Sequence, residues 1–450
     1  MLTAAIIFFL LIVTIVFHFT NPWWFTELAA DWGDIDTTVI ITFWVTGVVF
    51  IILNVFLAWV VYRYRHREGQ KAHYEPESKK LEWWLTVLTS IGVIAMLAPG
   101  LWVWDRIISV PEDAEVVEAV GQQWHWSFRF PGEDGVLGEV DVGLMSVENP
   151  FGMKPDDPAG RDDVLVDNPE LHLKTGQPYK LVLRSKDVLH NFTVPQFRVK
   201  MDLIPGMTPY IWLEPNRVGR YEILCEELCG IAHFAMRGAV VVEEEGDFDS
   251  WLEGQPTYGE ILATADPDPM SGQASYAVCA ACHGADGAGN AMLNAPKLTG
   301  LQDWYLKRQL YNFKHGLRGG NADDIYGAQM APMAATITTD AVMNNLVAYI
   351  GSLPDSTMSS TVQGDVEQGQ AIYTTCSSCH GTDGQGIWSQ KAPRLTATDD
   401  WYLVRQLENY RKGVRGSHPE DLYGKQMNLM SSMLRSEQAV NDVVAYINTL

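Results

Sequence analysis

The chain has 450 residues, room for about three domains, and carries 55 acidic against 32 basic side chains, a formal charge of −23. That charge excludes a nucleic-acid or anionic-lipid binder held by a general basic field. A hydrophobic content of 47% with only 19% charged residues excludes an intrinsically disordered chain.

Three apolar runs come first, at about 2–20, 37–62 and 83–104. Each is near the roughly 20 residues that cross a bilayer as a helix, and helix is the default because backbone groups in lipid must pair internally. The loop from Asn21 to Asp36 holds Glu27, Asp31, Asp34 and Asp36 and no basic residue. The next loop holds Arg63, Arg65, Arg67, Lys71, Lys79 and Lys80. The positive-inside rule makes the second loop cytoplasmic, so everything after Asp105 is expected outside. Trp23, Trp24, Trp83, Trp84, Trp102 and Trp104 flank the spans like interfacial anchors. The first run lacks a basic leader and a small-x-small cleavage site, so it reads as a retained span rather than a signal peptide. Residues 1–104 are thus a membrane region. The expected location is a bacterial inner membrane, crossed several times, with the later domains in the periplasm.

The acidity belongs to the middle of the chain: residues 105–270 carry 31 acidic against 13 basic side chains. Strand-like runs recur there, at Glu115–Phe130, Tyr179–Arg184 and Ala239–Glu243. Residues 131–170 form an acidic, Gly/Pro-rich insertion that reads as a surface loop. Near the end of the segment stands Cys225-Glu-Glu-Leu-Cys229-Gly-Ile-Ala-His233-Phe-Ala-Met236. Soft sulfur with imidazole favours copper. Two cysteines beside one His and one Met suit two thiolates bridging two copper ions, and His190 is the candidate for the second imidazole. A disulfide with an incidental histidine is the plainer alternative. A copper loop between late strands predicts an all-β, cupredoxin-like Greek-key sandwich over 105–250.

Residues 251–270 read as a linker. Beyond it, Cys279-Ala-Ala-Cys282-His283 and Cys376-Ser-Ser-Cys379-His380 are both C-x-x-C-H, the c-type haem attachment pattern. The thiols bond haem and the adjacent imidazole becomes the proximal iron ligand. A zinc knuckle would need two more ligands, and no cysteine is spare. Residues 279–353 align without a gap on 376–450, with 34 of 75 positions identical. This reads as a duplicated, all-helical domain that resembles the cytochrome c fold, at 271–355 and 366–450, joined by a second linker at 356–365. The sixth iron ligand is expected on a loop before each last helix. The candidates are Met330 or Met333, and Met427 or Met430. Met330 and Met427 are preferred, in part by resemblance to dihaem bacterial cytochromes.

With these motifs assembled, the chain resembles subunit II of a haem-copper cytochrome c oxidase, of the kind with cytochrome c fused to it. Its C-x-E-x-C-x3-H-x2-M motif is similar at every position to the binuclear CuA signature of that family. The resemblance implies a site of His190, Cys225, Glu227 (through its carbonyl), Cys229, His233 and Met236, with the Glu227 side chain reaching a magnesium ion at a contact with subunit I. Gln123-Trp124-His125-Trp126-Ser127 is similar to the family's aromatic stretch, which implies that Trp124 receives electrons from docked cytochrome c. Glu82 matches a carboxylate at the mouth of a proton channel. Gln196-Phe-Arg198 and Met207 depart from the family's commoner sequences beside the site, and three spans replace the more frequent two. The implied partners are subunits I and III, a cytochrome c or other respiratory donor, and membrane lipid. Electrons are expected to run from the terminal haem to the first haem to CuA, because the first haem domain is tethered nearer. They would then pass to a catalytic subunit that reduces O2 to water and pumps protons. Two alternatives stay open: the same module in a CuA-type nitric oxide reductase, and a freestanding membrane electron carrier.

Overall fold

The computed structural model describes all residues except 22–24, 72–75, 147–148, 264–265 and 357–359, so the anchors expected at Trp23 and Trp24 lie outside the described residues. Three helices lead: α1 (Leu2–Thr20), α2 (Gly33–Arg63) and α3 (Lys79–Ile108). Each is long and apolar enough to cross a membrane. Trp83, Trp84, Trp102 and Trp104 are exposed.

The chain then builds two five-stranded sheets. The strands are β1 (Glu115–Gln122), β2 (His125–Phe130), β3 (Val164–Val166), β4 (Glu170–Lys174), β5 (Tyr179–Ser185), β6 (His190–Val194), β7 (Val199–Leu203), β8 (Tyr210–Leu213), β9 (Gly219–Leu224) and β10 (Arg237–Glu243). One sheet runs β3-β2-β1-β5-β8 and the other β4-β10-β9-β6-β7. Inward residues of both, among them Trp126, Phe128, Leu171, Leu181 and Phe192, form one core from which water is excluded. The expected sandwich is present.

Two details differ from the sequence reading. Glu115–Phe130 is not one strand: it folds back at Gln123-Trp124, and β1 pairs β2 with Gln122 opposite His125. The run contains no glycine or proline at the bend, so nothing local announces a turn there. Nor is 251–270 simply a linker. Its first residues end helix α4 (Glu245–Glu253), and helix α5 (Tyr258–Ala263) follows. Trp251 stacks on His172 at 4.0 Å, and Tyr258 is buried with Phe151 and Met153 of the acidic insertion. The insertion is therefore partly core: Arg129 reaches Asp163 at 2.6 Å and Glu118 at 2.9 Å, and all three are buried.

The sandwich is fixed to the membrane helices by polar contacts. Arg198, at a left-handed φ of 57°, holds Asp36 at the start of α2 at 2.7 Å, and Trp212 donates to the Arg106 carbonyl at 2.9 Å. Arg198 thus acts as a strut between the sandwich and α2.

The two last domains repeat one plan. The first has α6 (Pro269–His283), α7 (Asp303–Lys314), α8 (Ile325–Ala334) and α9 (Asp340–Ser352). The second has α10 (Val366–His380), α11 (Asp400–Arg411), α12 (Leu422–Ser431) and α13 (Glu437–Ile447). Asp268 and Asp365 cap the first helix of each. The first and last helices cross closely at a glycine. A Cβ on Gly272 would lie 1.9 Å from the Asn345 carbonyl oxygen, and one on Gly369 would lie 2.0 Å from that of Asp442.

Candidate metal centre and haem sites

His190 opens β6 and is fully buried; Cys225 follows β9 and begins the loop to β10. Ligand atoms of His190, Cys225 and Cys229 all lie within 4.8 Å of one another. The two sulfurs are 3.8 Å apart, too far for a disulfide, and both cysteines are free. Cys229 Sγ is also 3.5 Å from His233 Nδ1 and 3.8 Å from Met236 Sδ, and Cys225 Sγ is 3.3 Å from the Glu227 carbonyl oxygen. The fold thus brings all six predicted residues to one point.

The protonation chemistry suits a cation. The hydrogen bond with Cys229 holds the Cys225 thiol well below its usual range, while that same contact, with burial, pushes Cys229 above it. The first proton leaves readily, and a bound metal must displace the second. His190 Nε2 meets Asp187 Oδ1 at 2.8 Å, leaving Nδ1 buried and unpartnered among the described residues, as a ligating nitrogen requires. The donor set therefore fits soft metal ions.

Asp187 was not picked out from the sequence. Besides orienting His190 it accepts the Gln123 backbone N–H at 2.7 Å. The β1–β2 tip is gripped again from the other side: Gln123 Nε2 and Trp124 Nε1 donate to the Cys229 carbonyl at 2.7 and 3.2 Å. The hairpin turn thereby sets Trp124 against the cysteine loop. The only local signal for Asp187 was a carboxylate three residues before a candidate ligand. Glu82 lies exposed in the first turn of α3.

In each repeat the C-x-x-C-H segment forms the end of the first helix. His283 Nδ1 donates to the Pro296 carbonyl at 2.7 Å and His380 Nδ1 to the Pro393 carbonyl at 2.8 Å. That fixes the tautomer and leaves Nε2 with a lone pair free to ligate a metal. Burial pushes both imidazoles below their usual range, against the pull of these bonds, which keeps them neutral and able to ligate. Met330 and Met427 lie on helices α8 and α12 rather than on loops, because Asp324 and Asp421 cap a helical turn just before them. Met427 lines a cavity with Cys376, Cys379 and His380, and Met330 packs on the first domain's core. Met333 is 40% exposed, and Met430 leans on the core of the sandwich.

The same cavity tests the fit of a haem. Arg308 Nη1 and the Tyr423 hydroxyl are buried on its wall without partners among the described residues. Buried unpaired donors are costly, and the carboxylates of a haem would satisfy them. Arg308 belongs to the first domain, so the two repeats complete each other. A buried ring joins them: Arg318 donates to Gln309 at 2.8 Å and Gln406 at 3.0 Å, and Arg415 donates to Gln406 at 2.8 Å and Gln309 at 2.7 Å. The ring has the near two-fold symmetry of the repeat.

The expectation that the first haem domain sits nearer the copper loop is not met. The second domain is seated there. Cys379 and Met430 pack on the sandwich core, and α12 touches the turn at His233–Ala235. Gln426 donates to the Trp124 carbonyl, and Gln122 donates to the Ser389 carbonyl. Trp124 is only 4% exposed and lines the second domain's cavity. A docked outside cytochrome cannot reach it.

Comparison with known families agrees with this geometry. Residues 115–244 match the model for the periplasmic domain of cytochrome c oxidase subunit II, and residues 270–354 and 366–450 each match the cytochrome c model. The alternative cytochrome c oxidase subunit 2 of Bradyrhizobium diazoefficiens is 54% identical over 261 residues, covering 58% of this chain and 94% of that protein. The chain belongs to the cytochrome c oxidase subunit II family. As a subunit II it is an oxidoreductase component, and its matched domains imply copper and c-type haem. Among solved structures, it is similar to cytochrome c4 from Pseudomonas stutzeri, at 28% identity and a TM-score of 0.34, covering 41% of this chain and 99% of that one. It is also similar to the periplasmic domain of a Bradyrhizobium japonicum oxidase subunit II, at 30% identity and a TM-score of 0.24, covering 32% and 96%.

Proposed function

We propose that this subunit II delivers electrons through its own two cytochrome domains in series: first domain, second domain, copper domain. From there they pass to a haem-copper catalytic subunit that reduces O2 and pumps protons across a bacterial inner membrane. The observation that carries this order is the second domain's seat on Trp124 and the copper loop. It reverses the order expected from tether length. Subunit III and a soluble donor complete the proposed set of partners.

When bound, a binuclear copper centre and two c-type haems supply reversible one-electron chemistry. The chain's residues hold and insulate them. Cys225, Cys229, His190, His233, Met236 and the Glu227 carbonyl would hold the copper centre. Cys279, Cys282, His283 and Met330 would hold one haem, and Cys376, Cys379, His380 and Met427 the other. Trp124 fills the space between the second cavity and the Cys229 carbonyl and keeps water out of it. The sandwich holds His190 on strand β6 and carries the other candidate ligands on the loop between strands β9 and β10, which limits their movement between oxidation states. The Glu227 side chain is proposed for magnesium at the contact with the catalytic subunit, and Glu82 for the opening of a proton path.

The test is pre-steady-state reduction of the purified oxidase complex. Cys376→Ala/Cys379→Ala, which removes covalent attachment in the second domain, should leave the first haem reducible and slow copper reduction at least tenfold. Copper reduced at the wild-type rate in that variant would sink the order. An O2-consumption assay on the same complex separates an oxidase from a nitric oxide reductase.

A further inference from the structure

The chain contains an internal example of how one of its cytochrome domains meets a redox partner. The second domain faces the copper domain with one side, made of Cys379, Ser389, Gln390, Gln426 and Met430. Cys379 and Met430 supply the apolar contact, and Ser389 and Gln426 make polar contacts. The Gln390 amide oxygen is buried. The repeat offset of 97 maps this side onto Cys282, Met292, Leu293, Gln329 and Met333 of the first domain.

There the same side is open. Met292 is 90% exposed, Leu293 51% and Met333 40%, and Cys282 and Gln329 are exposed as well. It is also more apolar than its twin, since Ser389 and Gln390 are replaced by Met292 and Leu293. The ion pair that flanks the seated copy, Lys391 with Asp167, has no counterpart. Position 294 is Asn, and its side chain accepts from Arg405 of the other repeat at 2.6 Å. None of the five mapped residues is charged.

Resting on the domain order above, we propose that this side of the first domain is the landing surface for a soluble one-electron carrier whose cofactor edge lies inside an uncharged, apolar rim. An uncharged, flexible, Met-rich surface of this size suits the brief, small-area encounters of electron transfer. It gives little electrostatic steering, so the association is nearly independent of salt. Most of the chain's negative charge lies outside this domain, in residues 105–270.

The experiment uses the holo-chain in detergent and a reduced, near-neutral monohaem cytochrome c as the probe, mixed in stopped flow. Met292→Glu/Met333→Glu is expected to slow bimolecular reduction about tenfold, the equivalent of about 1.4 kcal/mol. Met292→Leu/Met333→Leu should stay within about twofold, and wild-type rates should change less than about threefold between low and physiological salt. Dithionite reduction and haem-to-copper equilibration should be unchanged in the Glu variant, showing that it is intact. An unaltered bimolecular rate in that variant, or a steep fall with salt, overturns the proposal. So does a wild-type dimer that the Glu variant dissolves, since the surface would then belong to a second copy. Failure of the domain order would show differently: in the wild type the second domain's haem would be reduced before the first, or copper before either.

Discussion

Lys391 stands at the seam between the second cytochrome domain and the copper domain, and replacing it by Met tests how that seam is held. Its Nζ is 2.5 Å from Asp167 Oδ2; the Lys391 side chain is 8% exposed and that of Asp167 33%. His125 Nε2 lies 3.5 Å from the other Asp167 oxygen. Burial pushes His125 down to about 4, against the pull of Asp167, so near neutral pH the histidine is uncharged and Lys391 is the cation in contact with the carboxylate, with Lys186 close by. Lys391→Met keeps the apolar stem and removes the charge. Deleting one partner of a fully buried pair costs about 3–5 kcal/mol. Water reaches the one-third of Asp167 that is exposed, which lowers the expected cost here to about 2 kcal/mol. That is about 30-fold in the equilibrium between seated and released second domain, at about 1.4 kcal/mol per decade. Hydrogen exchange of residues 122–126 in the holo-chain reads this opening directly, since release uncovers Trp124. It should quicken about 30-fold, and haem-to-copper transfer should slow and become salt-sensitive. Lys391→Met/Asp167→Leu, which leaves no unpaired charge, should recover most of the loss. Unchanged exchange and transfer in the single variant would falsify the assignment of the seam to this pair.

Asp187→Ala frees the His190 ring, and competition with a copper chelator should show about a 10- to 100-fold loss of copper affinity. The depressed histidine gives a pH dependence: His125 has a folded pKa of about 4 against 6.5 unfolded, so its contribution is fully present above about 6.5 and is lost as pH falls toward 4. That loss approaches about 3 kcal/mol; Asp167, Lys391 and Lys186 face the ring, and His125→Gln should flatten a plot of melting temperature against pH over that window. Gln309→Ala removes one acceptor from both Arg318 and Arg415 and should cost about 1–3 kcal/mol by denaturant unfolding, with Gln406→Ala matching it. Met427→Ala should abolish the sulfur-to-iron absorption band of one haem and lower its potential, whereas Met430→Ala should keep the band.

The chemistry was legible because ligands must be particular residue types at short spacings. Two C-x-x-C-H segments and one twelve-residue copper loop could be read without a neighbour in space, and His190 followed because one imidazole was missing. What escaped were features set by tertiary contact. Gln123-Trp124 bends the chain in the middle of a strand-forming run, held by Asp187 and by the Cys229 carbonyl. Residues 251–270 looked like a tether, yet Trp251 and Tyr258 find partners in His172 and in the acidic insertion. The seat of the second domain was misjudged because shortness of tether was taken as nearness. Loop-closure entropy grows only with the logarithm of length, so a longer connection costs little, and side-chain complementarity at the surface decides.

That complementarity also explains where the repeats diverge. The Arg–Gln ring between them is kept in both copies, because each copy's arginine needs the other's glutamine. Positions outside the ring are free to differ: Lys391 is matched by Asn294, and Ser389 and Gln390 by Met292 and Leu293. Lys391 meets Asp167, a member of the acidic segment that carries most of the chain's negative charge. An acidic copper domain would ordinarily draw in a basic soluble cytochrome. Here Trp124 is covered, and the acidic surface beside it is engaged by a cytochrome domain already held at high effective concentration by its tether. Charge therefore serves the internal contact, which must persist, while the outer surface, which must release its carrier after each electron, has none.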